Sequence, residues 1–273
     1  PNYGPNDGAL ILPLNNCDHR DFRPVIQAVR YLNSGVRSYR EGPWDEDLLW
    51  LFGPEALDAP LDAPSQRDVA ALDGGYYALR AQEGMAFTRC PSFRHRPGQA
   101  DVLHVDVWWK GQNIALDAGT YSYNAPAPWD GPFARTRYHN TVTVDGLDQM
   151  ERAGRFLWLP WLQGQCAPPI ISPGGQLAYW EGQHDGYQRL RPPAIHRRAI
   201  ARLDRAFWLV LDLLDSPGEH SYRLHWLLAD LPHRWDADAG HLVLDTPAGP
   251  YGLRLGTLTA PCSHTLVRAD ATT

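Results

Sequence analysis

The chain has 273 residues, a formal net charge of −6, 44% hydrophobic and 21% charged residues, which is long enough to bury a substantial core and too apolar for a disordered segment. No apolar run approaches the roughly twenty residues of a membrane-spanning helix. The acidic balance argues against a general nucleic-acid binder, which needs a basic face, although a locally basic cleft could still receive an anionic substrate.

The chain opens at Pro1 without an initiator Met or a signal peptide and so reads as a mature product or a fragment. Over residues 21–33, Phe22, Val25, Ile26, Val29 and Leu32 fall three and four apart, one apolar helical stripe, with Gly35 as its stop. A second short helix is predicted over 43–52, with Pro43 in its first turn, Leu48, Leu49 and Phe52 inward and Gly53 closing it. Helices this short do not make a domain, so 1–57 reads as the tail of a larger helical unit or a lid packed on the rest of the chain. Residues 58–68, rich in Pro, Ala and Asp without a period, read as a linker.

From residue 69 to 273 the pattern is that of strands. Predicted strands cover 76–80, 85–90, 102–109, 113–117, 141–145, 177–181, 195–203, 207–213, 222–229, 241–244 and 251–255, each short and bounded by Gly, Pro, Asp or Asn. Many short strands without intervening helices predict a mainly β fold, a large antiparallel sandwich. The 11 Trp, 12 Tyr, 24 Gly and 24 Pro suit such a turn-rich protein. Its rings could stack on sugars or simply fill the core. Cys17, Cys90, Cys166 and Cys262 are far apart and form no Cys-x-x-Cys knot.

Chemistry-bearing residues concentrate between Asp101 and Asp145. Strand alternation over 101–109 puts His104 and Asp106 on one face, which suits a metal pair, a base with its orienting carboxylate, or merely a solvated face. Asp117 ends an apolar run at a turn, and His139 precedes the strand 141–145. At neighbouring strand ends they could complete a metal site or carry a proton, or they could be a turn cap and a buried polar histidine. Arg89, Arg94 and Arg96, with Arg135 and Arg137, form two basic loop clusters whose guanidinium forks suit carboxylate and sulfate groups or ordinary salt bridges. No nucleophile elbow, Walker loop, dinucleotide fingerprint or His-Glu-x-x-His is present.

Four ordered blocks carry a resemblance. Pro1-Asn-Tyr-Gly-Pro-Asn-Asp-Gly-Ala9, Gly98-Gln-Ala-Asp-Val-Leu103, Asp117-Ala-Gly-Thr-Tyr-Ser-Tyr123 and His139-Asn-Thr-Val-Thr-Val-Asp-Gly146 resemble the heparinase II/III-like family of polysaccharide lyases. The resemblance implies an (α/α) toroid followed by a β-sandwich, of which this chain is the last toroid turn plus the sandwich, in a periplasmic or secreted protein. It implies cleavage of an acidic, uronic-acid-containing polysaccharide by β-elimination, with the upstream toroid as a partner domain. Carried over residue by residue, it makes His139 and Tyr3 candidate catalytic groups. Asp7, Arg94, Arg96, Tyr121, Tyr123, Arg135 and Arg137 become substrate-binding candidates, and Asp117, His139 and Gln99 the candidate ligands of a divalent metal such as zinc. The family's His-x-His-x-Asp motif falls on residues 97–101, where Pro97 and Gln99 replace both histidines, so the implied metal site is degraded. That departure motivates the rival reading of a non-catalytic carbohydrate-binding or scaffolding sandwich. A hydrolase is the third reading, without an evident carboxylate pair.

Overall fold

The structure, a computed structural model, describes residues 14–18, 21–63, 67–120, 125–126, 129, 131–204 and 207–268. Tyr3, Asp7, Tyr121 and Tyr123 lie outside the described residues.

Helix α1 spans Arg23–Ser34, with Pro24 in its first turn, where a missing N–H costs nothing, and Gly35 as a left-handed cap whose N–H bonds Tyr31 O. A 3₁₀ turn, Pro43–Asp45, leads into α2, Glu46–Phe52. The buried Gln27 side chain joins these pieces: its amide donates to Asp45 and its Oε1 accepts from the Ser38 and Tyr39 amides. The predicted apolar stripe of α1 faces outward, with Phe22, Val25, Ile26, Val29 and Leu32 all exposed.

The remainder is a large antiparallel β-sandwich. One sheet runs in chain order through Val69–Ala71 (β1), Tyr76–Arg80 (β2), Gly84–Arg89 (β3), Val105–Trp109 (β4) and Gln112–Ala115 (β5). Val142–Val144 (β6) follows, then the hairpin Glu151–Gly154 (β7) with Leu157–Leu159 (β8). The second large sheet comprises Gly164–Cys166 (β9), Ile170–Ile171 (β10), Leu177–His184 (β11), Ile195–Leu203 (β12) and Phe207–Asp215 (β13). Tyr222–Leu224 (β14) returns to pair with β6, and His233–Asp236 (β15), His241–Thr246 (β16) and Gly249–Arg254 (β17) close the chain as a meander.

The two large sheets meet face to face. Tyr77, Leu79, Val105, Val107 and Ile114 from the first share one buried cluster with Ala178, Trp180 and Ile200 from the second, and the Tyr77 and Trp180 rings lie 5.1 Å apart. Period-two alternation sets the burial: in β11 and β12 every second residue points inward. The inward face of the second sheet changes character along its length. Ala178, Trp180 and Ile200 fill one end, whereas His184, His196 and Arg198, all buried, and Asp212 occupy the other. That polar end lies beneath the segment that connects β3 to β4.

Residues 101–104 are a turn, and the strand expected over 102–109 begins only at Val105. The cause is Leu103, which adopts φ 64 in the left-handed region and interrupts the alternation assumed for this stretch. His104 thus lies just ahead of the strand and Asp106 within it. Similarly, the strand expected over 222–229 is regular only through Leu224 and resumes as an isolated bridge between Leu228 and Ala115.

Candidate functional site

Three segments converge at the polar end of the sandwich. Asp117 follows β5 in an Asx turn, where the Gly119 N–H donates to its Oδ1 at 2.7 Å and Gly119 takes φ 69. His139 ends the 3₁₀ turn Thr136–Tyr138, just before β6. That turn is held from two sides, since the Thr136 amide donates to Asp148 Oδ1 at 2.9 Å and its hydroxyl to Ala100 O at 2.8 Å. His104 leaves the turn at Leu103. The neighbouring Val102 is clamped by both ends of the Gln149 amide, 2.9 and 2.8 Å from its N and O.

The result is a compact, fully buried cluster. His139 Nδ1 lies 3.1 Å from Asp117 Oδ2, His104 Nε2 lies 4.0 Å from the same oxygen, and all three side chains are 0% exposed. The imidazoles meet edge to face, with centroids 5.6 Å apart. A carboxylate only accepts, so His139 donates from Nδ1 and, when neutral, keeps its lone pair on Nε2; that atom has no hydrogen-bond partner among the described residues. A backbone N–H only donates, so His104 Nδ1 accepts from Asn140 N at 2.9 Å, and neutral His104 carries its proton on Nε2.

Asn140 acts as the hub. Besides its amide on His104, its side chain donates to Val105 O at 2.8 Å and to Leu116 O at 3.0 Å, and its Oδ1 accepts from Leu227 N at 2.5 Å. One side chain thus ties together the segments that carry all three members of the cluster. The electrostatics separate the two imidazoles. Burial, with the positive neighbours His139 and Arg198, pushes His104 well below the usual histidine range. Burial also pulls on His139, but the hydrogen bond and negative charge of Asp117 outweigh it and leave His139 raised. Paired groups driven apart in this way are suited to different protonation roles.

The donor set also fits a divalent metal ion. His104, Asp117 and His139 each offer one ligand atom, all within 4.8 Å of one another, and two imidazoles with one carboxylate form a familiar zinc set that leaves a position open. Binding through His104 Nε2 would require its proton to leave and the Asn140 N–H contact to loosen, a local cost. The third donor is thus an imidazole that a reading of residues 97–101 does not find. Gln99 is buried nearby in sequence, its Nε2 donating to Gly119 O at 3.1 Å while its Oε1 has no hydrogen-bond partner among the described residues.

The basic residues divide. Arg94 and Arg96 are exposed in the loop after β3, with Arg96 over the Phe156 ring at 5.6 Å, and Arg137 is exposed against Tyr138 at 4.9 Å. Arg135 is engaged by Asp148 at 2.9 Å, and Arg89 by Asp101 at 3.1 Å. Asp106, expected on one face with His104, is buried and accepts from Asn113 at 3.4 Å, and burial pushes its carboxyl up to about 7.

Known proteins share this architecture. Heparan sulfate lyase HepC from Pedobacter heparinus superposes with a TM-score of 0.61 at 17% identity, over 83% of this chain and 32% of that one. A crystal structure of heparinase III matches with a TM-score of 0.56 at 16% identity, over 74% of this chain and 32% of that one. Such identities establish the fold. In sequence, a heparin-sulfate lyase of Bacteroides stercoris is 24% identical over 169 residues, which are 57% of this chain and 22% of that protein. The chain therefore spans a minor part of the length of these relatives. A family model described as "Heparinase II/III-like, C-terminal" matches residues 63–262, well over half of the chain. The chain belongs to the heparinase II/III-like family and represents its C-terminal region.

Proposed function

We propose that the chain is the C-terminal part of a polysaccharide lyase that cleaves an acidic, uronic-acid-containing polysaccharide by β-elimination in the periplasm or outside the cell. The buried His104–Asp117–His139 cluster, present in a chain of this family, is the observation that carries the reading. In the elimination a base removes the C5 proton and the electrons of that bond form the C4–C5 double bond. The C4–O bond breaks, and its oxygen leaves with the pair and takes up a proton. Charge on the uronate carboxylate must be quieted meanwhile. His139, oriented by Asp117 and with a lone pair on Nε2, has the make-up of a proton-handling group. A divalent ion held by His104, Asp117 and His139 would supply positive charge and a cross-link between their segments.

Two further features support the reading. The exposed stripe of α1 includes Val25, Val29 and Leu32 at 51, 50 and 69% exposure, an apolar face suited to packing against further helices, as the end of a toroid would. Arg94, Arg96 and Arg137 present exposed guanidinium groups suited to carboxylates and sulfates. The second reading, a non-catalytic carbohydrate-binding sandwich, is favoured by one observation: the cluster is wholly enclosed, so no member presents surface to a polymer.

Incubating the full-length protein with heparan sulfate, alginate and other uronate polymers while following the ultraviolet absorbance of an unsaturated uronate tests the proposal. A new chromophore is expected. Binding without a chromophore would establish the second reading, and new reducing ends without it would indicate hydrolysis.

A further inference from the structure

We propose that Arg198 is a positioning residue of the candidate site: a guanidinium on β12 that holds both imidazoles through the backbone beside them. The inference rests on the reading of the His104–Asp117–His139 cluster as the functional site. Arg198 is 0% exposed, and its Nη1 donates to Leu103 O at 2.6 Å and to Asn140 O at 2.5 Å. Leu103 immediately precedes His104, and Asn140 immediately follows His139. One cationic nitrogen therefore grips the chain on the near side of each ring.

The grip has a visible counterpart in the backbone. Leu103 is a bulky residue at φ 64 and fully buried, a strained conformation that persists only where its surroundings hold it. Arg198 supplies one hold through the Leu103 carbonyl, and Arg89 O accepts the Leu103 N–H at 2.8 Å on the other side. Released from φ 64, the chain would carry His104 away from Asp117. Asn140 is gripped at its carbonyl while its N–H contacts His104 Nδ1, so the same guanidinium also sets that contact.

Arg198 is in turn fixed from behind. Asp212, directly opposite on β13, accepts from Nε at 2.7 Å and from Nη2 at 2.9 Å, and His196 Nε2 lies 2.6 Å from the same carboxylate. Replacing a buried ion pair with apolar residues is often neutral or stabilising, so stability alone does not account for this one. Its planar fork reaches Asp212 and two carbonyls at once. A lysine would keep the charge but has no such fork.

The test uses the full-length protein with ¹⁵N-labelled histidine, as wild type, Arg198→Lys and the neighbouring core variant Ile200→Val. Imidazole nitrogen spectra, Co²⁺ titration by visible absorbance and thermal melting are recorded for each. Arg198→Lys is expected to shift the His104 and His139 signals and to weaken Co²⁺ binding about 10- to 100-fold; Ile200→Val should lower the melting temperature and leave both unchanged. If Arg198→Lys shifts only His196 and His184, Arg198 is a core ion pair and the inference is overturned. Absence of Co²⁺ binding in the wild type would defeat the metal reading of the cluster, and the histidine signals would still decide the role of Arg198. Should Arg198→Lys fail to fold, Asp212→Glu, which displaces the guanidinium while keeping both charges, replaces it with the same expected shifts and the same overturning result.

Discussion

Two buried His–His–Asp groups lie on either side of Arg198, and they differ in how their charge is used. His104 and His139 meet edge to face at 5.6 Å beside Asp117, and His184 and His196 meet edge to face at 5.4 Å beside Asp212. In the second group Asp212 is committed to the permanent cation Arg198, and burial lowers both histidines. In the first, Asp117 is left to an imidazole and a backbone amide, and His139 is raised. Only the first forms a possible metal cluster among the described residues. The same residue types at nearly the same spacing thus make a structural anchor in one place and a candidate site in the other. The difference lies in whether a guanidinium has already claimed the carboxylate.

Asp212→Asn should break that contrast most severely. It leaves Arg198 buried without its counter-charge, for which about 3–5 kcal/mol of stability is expected to be lost. Asp117→Asn removes no partner of a permanent cation and should cost about 1–3 kcal/mol. It should nevertheless abolish Co²⁺ uptake. Denaturant unfolding and Co²⁺ titration of both variants check the pair, and equal stability losses would erase the distinction.

Acidification sharpens it further. His184 and His196 are held below their ordinary value of 6.5, chiefly by burial. The unfolded chain therefore binds protons that the folded chain refuses. Stability contributed by the neutral histidines is fully present above 6.5 and is lost as pH falls below it. His184→Asn, which retains an acceptor for the Gly186 amide now on His184 Nδ1 at 3.1 Å, should flatten the acid limb of a stability–pH series. An unchanged slope would show that His184 does not contribute.

The smallest effect belongs to the surface. Arg137→Ala should leave stability within about 0.5 kcal/mol while raising KM for an acidic polymer and weakening its salt dependence. Steady-state kinetics at two ionic strengths measure both.

Legibility tracks the range of the forces involved. Strand 195–203 is readable to the residue because alternation is local, and the helix expected over 21–33 forms as Arg23–Ser34. Its stripe is legible but its exposure is not, because burial depends on what packs against it. Asp117 and His139 stand out as polar groups at strand ends. The strand expected from residue 102 begins only at Val105, and nothing local announces that Leu103 turns left-handed; a restraint comes from Arg198, 95 residues away along the chain. Arg198 itself sits in an ordinary alternating strand, and only the register opposite Asp212 and the contact with Leu103 give it meaning. Asn140 stands directly beside His139 in the sequence, yet its four contacts join three segments that only the fold brings together.

The proposed function makes the first histidine group the working one and leaves the second to hold the fold. Its most direct test compares His139→Ala and His196→Ala in the full-length protein, by rate of unsaturated-uronate formation and by thermal melting. His139→Ala is predicted to lower the rate at least about 100-fold in a protein still folded at the assay temperature, whereas His196→Ala should lower the melting temperature more and the rate of the remaining folded protein less. Parallel losses of rate and stability in the two variants would contradict the account.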